Sequence, residues 1–196
     1  MPIVSALRAA GRDSVAVELD GAPWRVLPLE AVVRAGLTTG ADLDRGRART
    51  LARERRRLAA LTAATDALRR RDLSERGLQA RLVRRGVPAV ERERALETLR
   101  RAGLVDDDRF ARRRAEALDE RGYGDAFILD DLERQGVAYD AAQAAIEALR
   151  PEPERAAAEL ARRGGGLPAA RALARRGFSE ESLEGVVARD WPAELG

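Results

Sequence analysis

Leu82-Val83-Arg84-Arg85-Gly86-Val87 returns twice further along the chain, as Leu132-Glu133-Arg134-Gln135-Gly136-Val137 and as Leu173-Ala174-Arg175-Arg176-Gly177-Phe178. In each copy the glycine suits the left-handed position that ends a helix, and the apolar residue after it can fold back on the core. An arginine in the last turn complements the negative end of the helix dipole. A new helix starts almost at once in every case. Pro88 fits a first helical turn, Asp140 is a candidate cap, and Ser179 followed by Glu180 and Glu181 places a cap and acids at a third N-terminus. A repeated stop-and-start signal decides architecture before any single residue does.

Working outward, each marker is preceded by a short helix, beginning after Ser74, after Asp125 and near Pro168. A further helix lies ahead of each of these, over 58–70, 106–121 and 152–163. The result is three units of three helices. Leu96 and Leu99 stand at the same distances from Gly86 as Ile146 and Leu149 do from Gly136, while the third copy departs slightly with Leu183, Val186 and Val187.

The N-terminal region differs in kind. Val15, Val17 and Leu19 alternate with polar neighbours and run into Asp20-Gly21, a two-residue hairpin signal. A second strand passes through Trp24 and Val26, residues 3–9 supply a third turned back at Gly11-Arg12, and Pro28 introduces a short helix ending near Gly36. From Asp42 to Arg71 strand signals vanish, and Leu51, Leu58, Leu61, Ala64 and Leu68 form the apolar stripe of one long helix. The expected fold is mostly α, three tandem three-helix repeats preceded by a small β-meander with a short helix. Its expected divisions are 1–44 for the meander, 45–104 for the long basic helix leading into repeat 1, 105–150 for repeat 2 and 151–196 for repeat 3.

Composition removes whole classes of chemistry. The 196 residues include no Cys and no His, which excludes thiol catalysis, thiolate metal sites and a Ser-His pair. All 36 basic residues are Arg, so Schiff-base chemistry and the lysine of a P-loop are absent too. No nucleophile with a positioned acid and base emerges, and no catalytic, cofactor or metal site is expected. Apolar runs fall well short of a membrane span and no secretory leader is visible, which makes the cytoplasm the expected address. Net charge is only +3, but its distribution is uneven. Residues 45–71 hold ten Arg against two acids, whereas 104–154 hold seven Arg against fourteen.

Candidate contact residues follow from that distribution. Arg53, Arg55, Arg56 and Arg57 crowd the long helix, either as a solvated face or as a patch for phosphate or an acidic partner. Arg109, Arg112 and Arg113 suit bidentate contact with phosphate or carboxylate, against the alternative of local pairs such as Arg112 with Glu116. Arg84, Arg85, Arg175 and Arg176 divide between dipole complementation and partner contact. Consecutive Asp106, Asp107 and Asp108 diverge by about 100° each on a helix, which favours capping over metal binding. Phe110 reads as a core anchor beside Ala111, Ala115 and Leu118, rather than a platform for stacking bases. Gly86, Gly136, Gly177, Asp106 and Phe110 are thus structural residues of the turns. Trp24 is assigned to hairpin packing and Trp191 to docking of the tail or to an exposed contact.

Taken together, these stretches resemble the RecX family, regulators of the bacterial recombinase RecA, over most of the chain. The resemblance rests on Ser74-Glu75 through Gly86-Val87, on Gly103-Leu104-Val105-Asp106-Asp107-Asp108-Arg109-Phe110-Ala111, and on Gly124 through Ile128, Leu132 and Gly136-Val137. Its most specific part is Leu104 through Ala111. The resemblance implies an elongated, curved array that lies in the groove of the RecA filament on single-stranded DNA. It also implies a monomer with no membrane partner that inhibits ATP turnover, strand exchange and coprotease action. A competing reading is a direct DNA-binding protein using helix-turn-helix-like elements, against which the acidic middle unit counts.

Overall fold

The computed structural model describes residues 1–184. Val186, Val187 and Trp191, assigned roles above, lie outside the described residues. Contacts group the chain into two compact units, one of residues 1–70 with 81–98, the other of residues 71–80 with the chain from Leu99 onward.

The first unit begins with an antiparallel meander of β1 (Val4–Gly11), β2 (Ser14–Leu19) and β3 (Ala22–Pro28), in the order β1-β2-β3. Asp20 and Gly21 have φ of 51° and 82°, both positive as the tight hairpin turn requires. Alternation sends Val15 and Val17 inward, where they meet Val4, Leu27, Ala31, Val32 and Leu51. Trp24 stays outside the buried core of this unit. It is 36% exposed, with the Arg25 guanidinium 5.6 Å from its ring centroid. Pro28 closes β3 and stands at the N-cap of α1 (Leu29–Arg34).

The long helix α2 (Arg45–Arg70) changes its buried face along its length. Leu51 and Glu54 are buried in its first half; Ala60, Ala64 and Ala67 are buried in its second. At 3.6 residues per turn these two sets lie well over a quarter-turn apart. The leucine stripe expected from sequence is therefore only partly borne out, since Leu58, Leu61 and Leu68 sit half-buried on the flanks. After it come α3 (Glu75–Arg84) and α4 (Ala89–Arg101), whose residues divide between the two units at 80/81 and 98/99. Ser74 caps α3, its Oγ accepting from the Gly77 amide at 3.0 Å.

The second unit carries α5 (Asp107–Asp119), α6 (Asp125–Gln135), α7 (Tyr139–Glu147), α8 (Glu152–Arg162) and α9 (Gly166–Ala174), with residues 180–184 again helical. Asp106 caps α5 by accepting from the Arg109 amide at 2.9 Å. Asp140 is not a cap: Ala138 holds the capping position of α7 and Asp140 lies inside the first turn. Phe110, Ala111, Ala115 and Leu118 join Ile128, Leu132, Val137 and Ile146 in one core, as the anchor reading of Phe110 requires.

All three marker turns close identically. Gly86, Gly136 and Gly177 have φ of 71°, 83° and 86°. The Val87, Val137 and Phe178 amides donate to the carbonyls of Leu82, Leu132 and Leu173 at 3.1, 3.1 and 3.2 Å. The glycine amides donate to Val83, Glu133 and Ala174 at 2.9, 2.8 and 3.0 Å. This paired closure is the Schellman motif, and the leucine that opens each marker is fully buried beneath it. Three repeats of helices with a β-meander ahead of them are the observed architecture. No described helix is long and apolar enough to cross a membrane.

Candidate functional site

The arginines singled out from sequence separate into structural ties and free groups. Within the markers the separation follows register. Arg85 and Arg176, directly before the glycine, donate to backbone carbonyls: Arg85 Nη1 to Ala63 at 3.3 Å, Arg176 Nη1 to Arg121 at 3.0 Å and Gly122 at 3.4 Å. Arg176 also lies 4.7 Å from the centroid of Tyr123, whose ring stacks on Phe127. Arg84 and Arg175, one position earlier, are exposed and make no side-chain bond among the described residues. Their counterpart Arg134 is neutralised by Asp130 at 2.7 Å.

On α2 the cluster divides again. Arg57 bonds the buried Glu54 at 2.9 Å and also contacts Glu30, so it is committed to packing α2 on α1. Glu54's carboxyl is held below its ordinary value, chiefly by the Arg57 hydrogen bond and against the effect of burial. Arg53 reaches only its neighbour Glu54, at 3.5 Å, and Arg56 reaches Glu91 at 3.4 Å while staying 54% exposed. Arg55 and Arg56 both line an open cleft of about 1340 Å³, walled also by the exposed Val26, Leu29 and Val33.

Along α5, Arg109 folds back on the carbonyls of Gly103 and Leu104 at 2.9 and 3.4 Å, securing the turn that precedes it. Arg112 Nε donates to the Asp108 carbonyl at 3.3 Å instead of pairing with Glu116. Arg113 is 3.6 Å from Asp72, both partly exposed. Arg114 was missed by sequence reasoning: it grips Asp131 bidentately at 2.8 and 3.0 Å and ties α5 to α6. Of the acidic run, Asp106 caps its own helix and Asp107 accepts from the Glu75 amide at 2.7 Å, so the carboxylates are turned apart.

Two further features of the second unit escaped sequence reasoning. Gly124 and Gly177 let two backbone segments touch: the Gly124 amide donates to the Arg176 carbonyl at 2.9 Å and the Ala126 amide to Gly177 at 3.1 Å. Beside them, Glu152 accepts from the Asp125 amide at 2.8 Å, the Ser179 hydroxyl at 2.5 Å and the Ser182 hydroxyl at 2.8 Å. Burial pushes its carboxyl up, but the donors from Ser179, Asp125 and Ser182 outweigh this and leave it below the ordinary value. A depressed carboxyl contributes stability in full above its unfolded pKa and loses it as pH falls through the folded value. Glu152→Gln is therefore expected to lower the unfolding midpoint at neutral pH and to converge with the unaltered chain on acidification. Parallel denaturation curves with a gap independent of pH would contradict this.

The chain is similar to several curated proteins named Regulatory protein RecX. That of Chromohalobacter salexigens is 35% identical over 133 residues, covering 63% of this chain and 88% of that protein. That of Halorhodospira halophila is 32% identical over 136 residues, covering 64% and 84%. That of Syntrophotalea carbinolica is 40% identical over 87 residues, covering 43% and 56%. Among solved structures, one described as regulatory protein RecX superposes with a TM-score of 0.80 at 20% identity, over 97% of this chain and 100% of that one. RecX from Lactobacillus salivarius superposes with a TM-score of 0.60 at 14% identity, over 68% and 96%. These two likenesses bear on the fold alone. No family model matches the chain.

Proposed function

Because this chain belongs to the RecX family, we propose that it is a non-catalytic regulator that binds the RecA filament on single-stranded DNA and inhibits its ATP hydrolysis, strand exchange and coprotease activities. The observation that carries this reading is the register of the marker arginines. Arg84 and Arg175 occupy the same place in two copies of one turn, are exposed, and make no side-chain bond among the described residues. A repeating partner is engaged well by repeating contacts, since the second contact forms at the high effective concentration set by the first. Guanidinium groups held at fixed helix ends meet carboxylates bidentately and with little loss of side-chain freedom. Arg112 and Arg113 on α5 are further candidate contacts, and the protein acts as a monomer in the cytoplasm.

The test is a titration of the full chain into RecA from the same organism hydrolysing ATP on circular single-stranded DNA. Inhibition is expected at or below stoichiometric ratios. The Arg84→Glu/Arg175→Glu chain is expected to need at least about ten times more protein for half-inhibition, the equivalent of about 1.4 kcal/mol. Absence of any effect of the unaltered chain on RecA would overturn the proposal. An unchanged titration with the double variant would remove these two arginines from it.

A further inference from the structure

The cleft beside α2 lies wholly within the first unit. Along one wall Val26 of β3 and Leu29 and Val33 of α1 are 63, 44 and 66% exposed. Single apolar side chains on a surface need no explanation, but three lining one cleft mark a contact surface. The other wall is a face of α2 that nothing described covers. Arg55, Ala59 and Thr62 are exposed on it, and Asp66 is half-buried. At about 100° and 1.5 Å per residue these four side chains fall within an arc of about 60° and span about 16 Å.

The two ends of this face carry opposite charges. Most charged side chains around the cleft are tied within the unit: Arg34 bonds Glu30 at 2.9 Å, Arg56 lies 3.4 Å from Glu91, and Arg85 donates to the Ala63 carbonyl at 3.3 Å. Arg55 and Asp66 make no side-chain hydrogen bond or ion pair among the described residues, and neither does Asp13 in the turn between β1 and β2. A uniformly charged ligand laid along the face would be attracted at one end and repelled at the other. A helix antiparallel to α2 and carrying the same two charges is attracted at both. Another copy of α2 is such a helix. The midpoint of Arg55 and Asp66 falls between Ala59 and Thr62, so a two-fold axis there sets each Arg55 opposite the second copy's Asp66. It sets each Ala59 opposite the second copy's Thr62, and side chains this small let the helix axes approach to about 8 Å.

We propose that this cleft is a self-association surface, closed by a second copy of the chain in a two-fold, antiparallel packing of α2 on α2 with reciprocal Arg55–Asp66 pairs. Such a contact is isologous: one patch serves both copies and the assembly ends at two. The guanidinium of Arg55 meets a carboxylate bidentately, and the second α2 covers Val26, Leu29 and Val33. A helix contact of about three turns is small for a permanent dimer, which places association in the micromolar range and leaves the dilute chain as the monomer of the proposal above. Self-association involves neither RecA nor DNA, so failure here leaves the ATPase titration intact, and the converse also holds.

The test is sedimentation equilibrium of the full chain from about 1 to 200 μM, where a dissociation constant on the order of 10 μM carries the average mass from near monomer to near dimer. Arg55→Glu and Asp66→Arg, each alone, bring like charges together at both ends and are expected to weaken association at least about ten-fold. Their equimolar mixture should associate as the unaltered chain does, because each variant supplies the charge the other lacks. The single chain carrying both changes should do the same, which keeps the proposal testable if one variant folds poorly. Arg45→Glu, a charge reversal on the same helix outside the cleft, should leave association unchanged. The proposal is overturned by single variants that associate unchanged, by a mixture no better than its parts, by an equal loss in Arg45→Glu, or by masses that climb past the dimer. A chain that stays monomeric throughout also overturns it and leaves the cleft to a helix of another protein.

Discussion

Gly177→Ala is expected to destabilise the second unit by about 3 to 4 kcal/mol, whereas Gly86→Ala, at the matching place in the first marker, is expected to cost about 1 to 2 kcal/mol. Both glycines adopt left-handed φ, of 86° and 71°, so both substitutions incur the conformational cost of a Cβ there. Only one has company. A methyl group on Gly86 would meet nothing within 4 Å, while on Gly177 it would lie 2.5 Å from the Phe127 amide nitrogen and 2.7 Å from Phe127 Cβ. Backbone cannot swing aside as a long side chain does, so the excess appears as overpacking. Gly124→Ala separates the two causes, because Gly124 has an ordinary φ of −86° and a Cβ there would lie 2.3 Å from the Gly177 carbonyl. It should cost about 3 kcal/mol through packing alone. Urea denaturation followed by circular dichroism gives all three values, and equal losses for Gly86 and Gly177 would refute the argument.

Arg155→Met is expected to lose about 3 to 5 kcal/mol, the usual penalty for removing one partner from a buried ionic group. Arg155 is only 2% exposed, and it holds the Arg150 carbonyl at 2.7 Å, Asp119 at 3.2 Å and Asp125 at closer range. Burial pushes the Asp125 carboxyl above its ordinary value, with the Arg155 hydrogen bond pulling it back. Without Arg155 that restraint goes. A carboxyl whose folded pKa exceeds its unfolded one penalises folding above the folded value, and the penalty fades as pH falls through it. The variant should thus recover part of its deficit as pH is lowered from neutral, and adding Asp119→Asn and Asp125→Asn should recover part of it at neutral pH. A deficit that is constant with pH and indifferent to the asparagines would assign Arg155 to packing alone.

What was legible in the sequence is what is encoded locally. Gly86, Gly136 and Gly177 could be read because a left-handed helix end tolerates little else, and Asp106 because a cap acts within three residues. Asp140 misled because its spacing from Gly136 suits a cap equally well at either of two positions, and the chain uses Ala138. The Gly124 contact, the Arg114–Asp131 grip and the burial of Arg155 join residues 53, 17 and about 30 positions apart, and nothing local marks them. Arg155 follows Pro151-Glu152-Pro153-Glu154, which reads as solvated surface. The arginines of α2 were visible as a cluster, but their sorting was not, because it depends on which face each half of the helix buries.

That change of face along α2 makes angular phase, rather than residue identity, the quantity the helix must preserve. Losing one residue between Leu58 and Ala60 would turn everything before the break by about 100° relative to everything after it. Either Leu51 would leave the sheet or the three alanines would leave their burial. Losing seven would rotate the halves by only about 20° and shorten the rod by about 10 Å. Changes in the length of this rod that keep both buried faces are thereby confined to steps near whole turns, a restriction invisible in any single substitution.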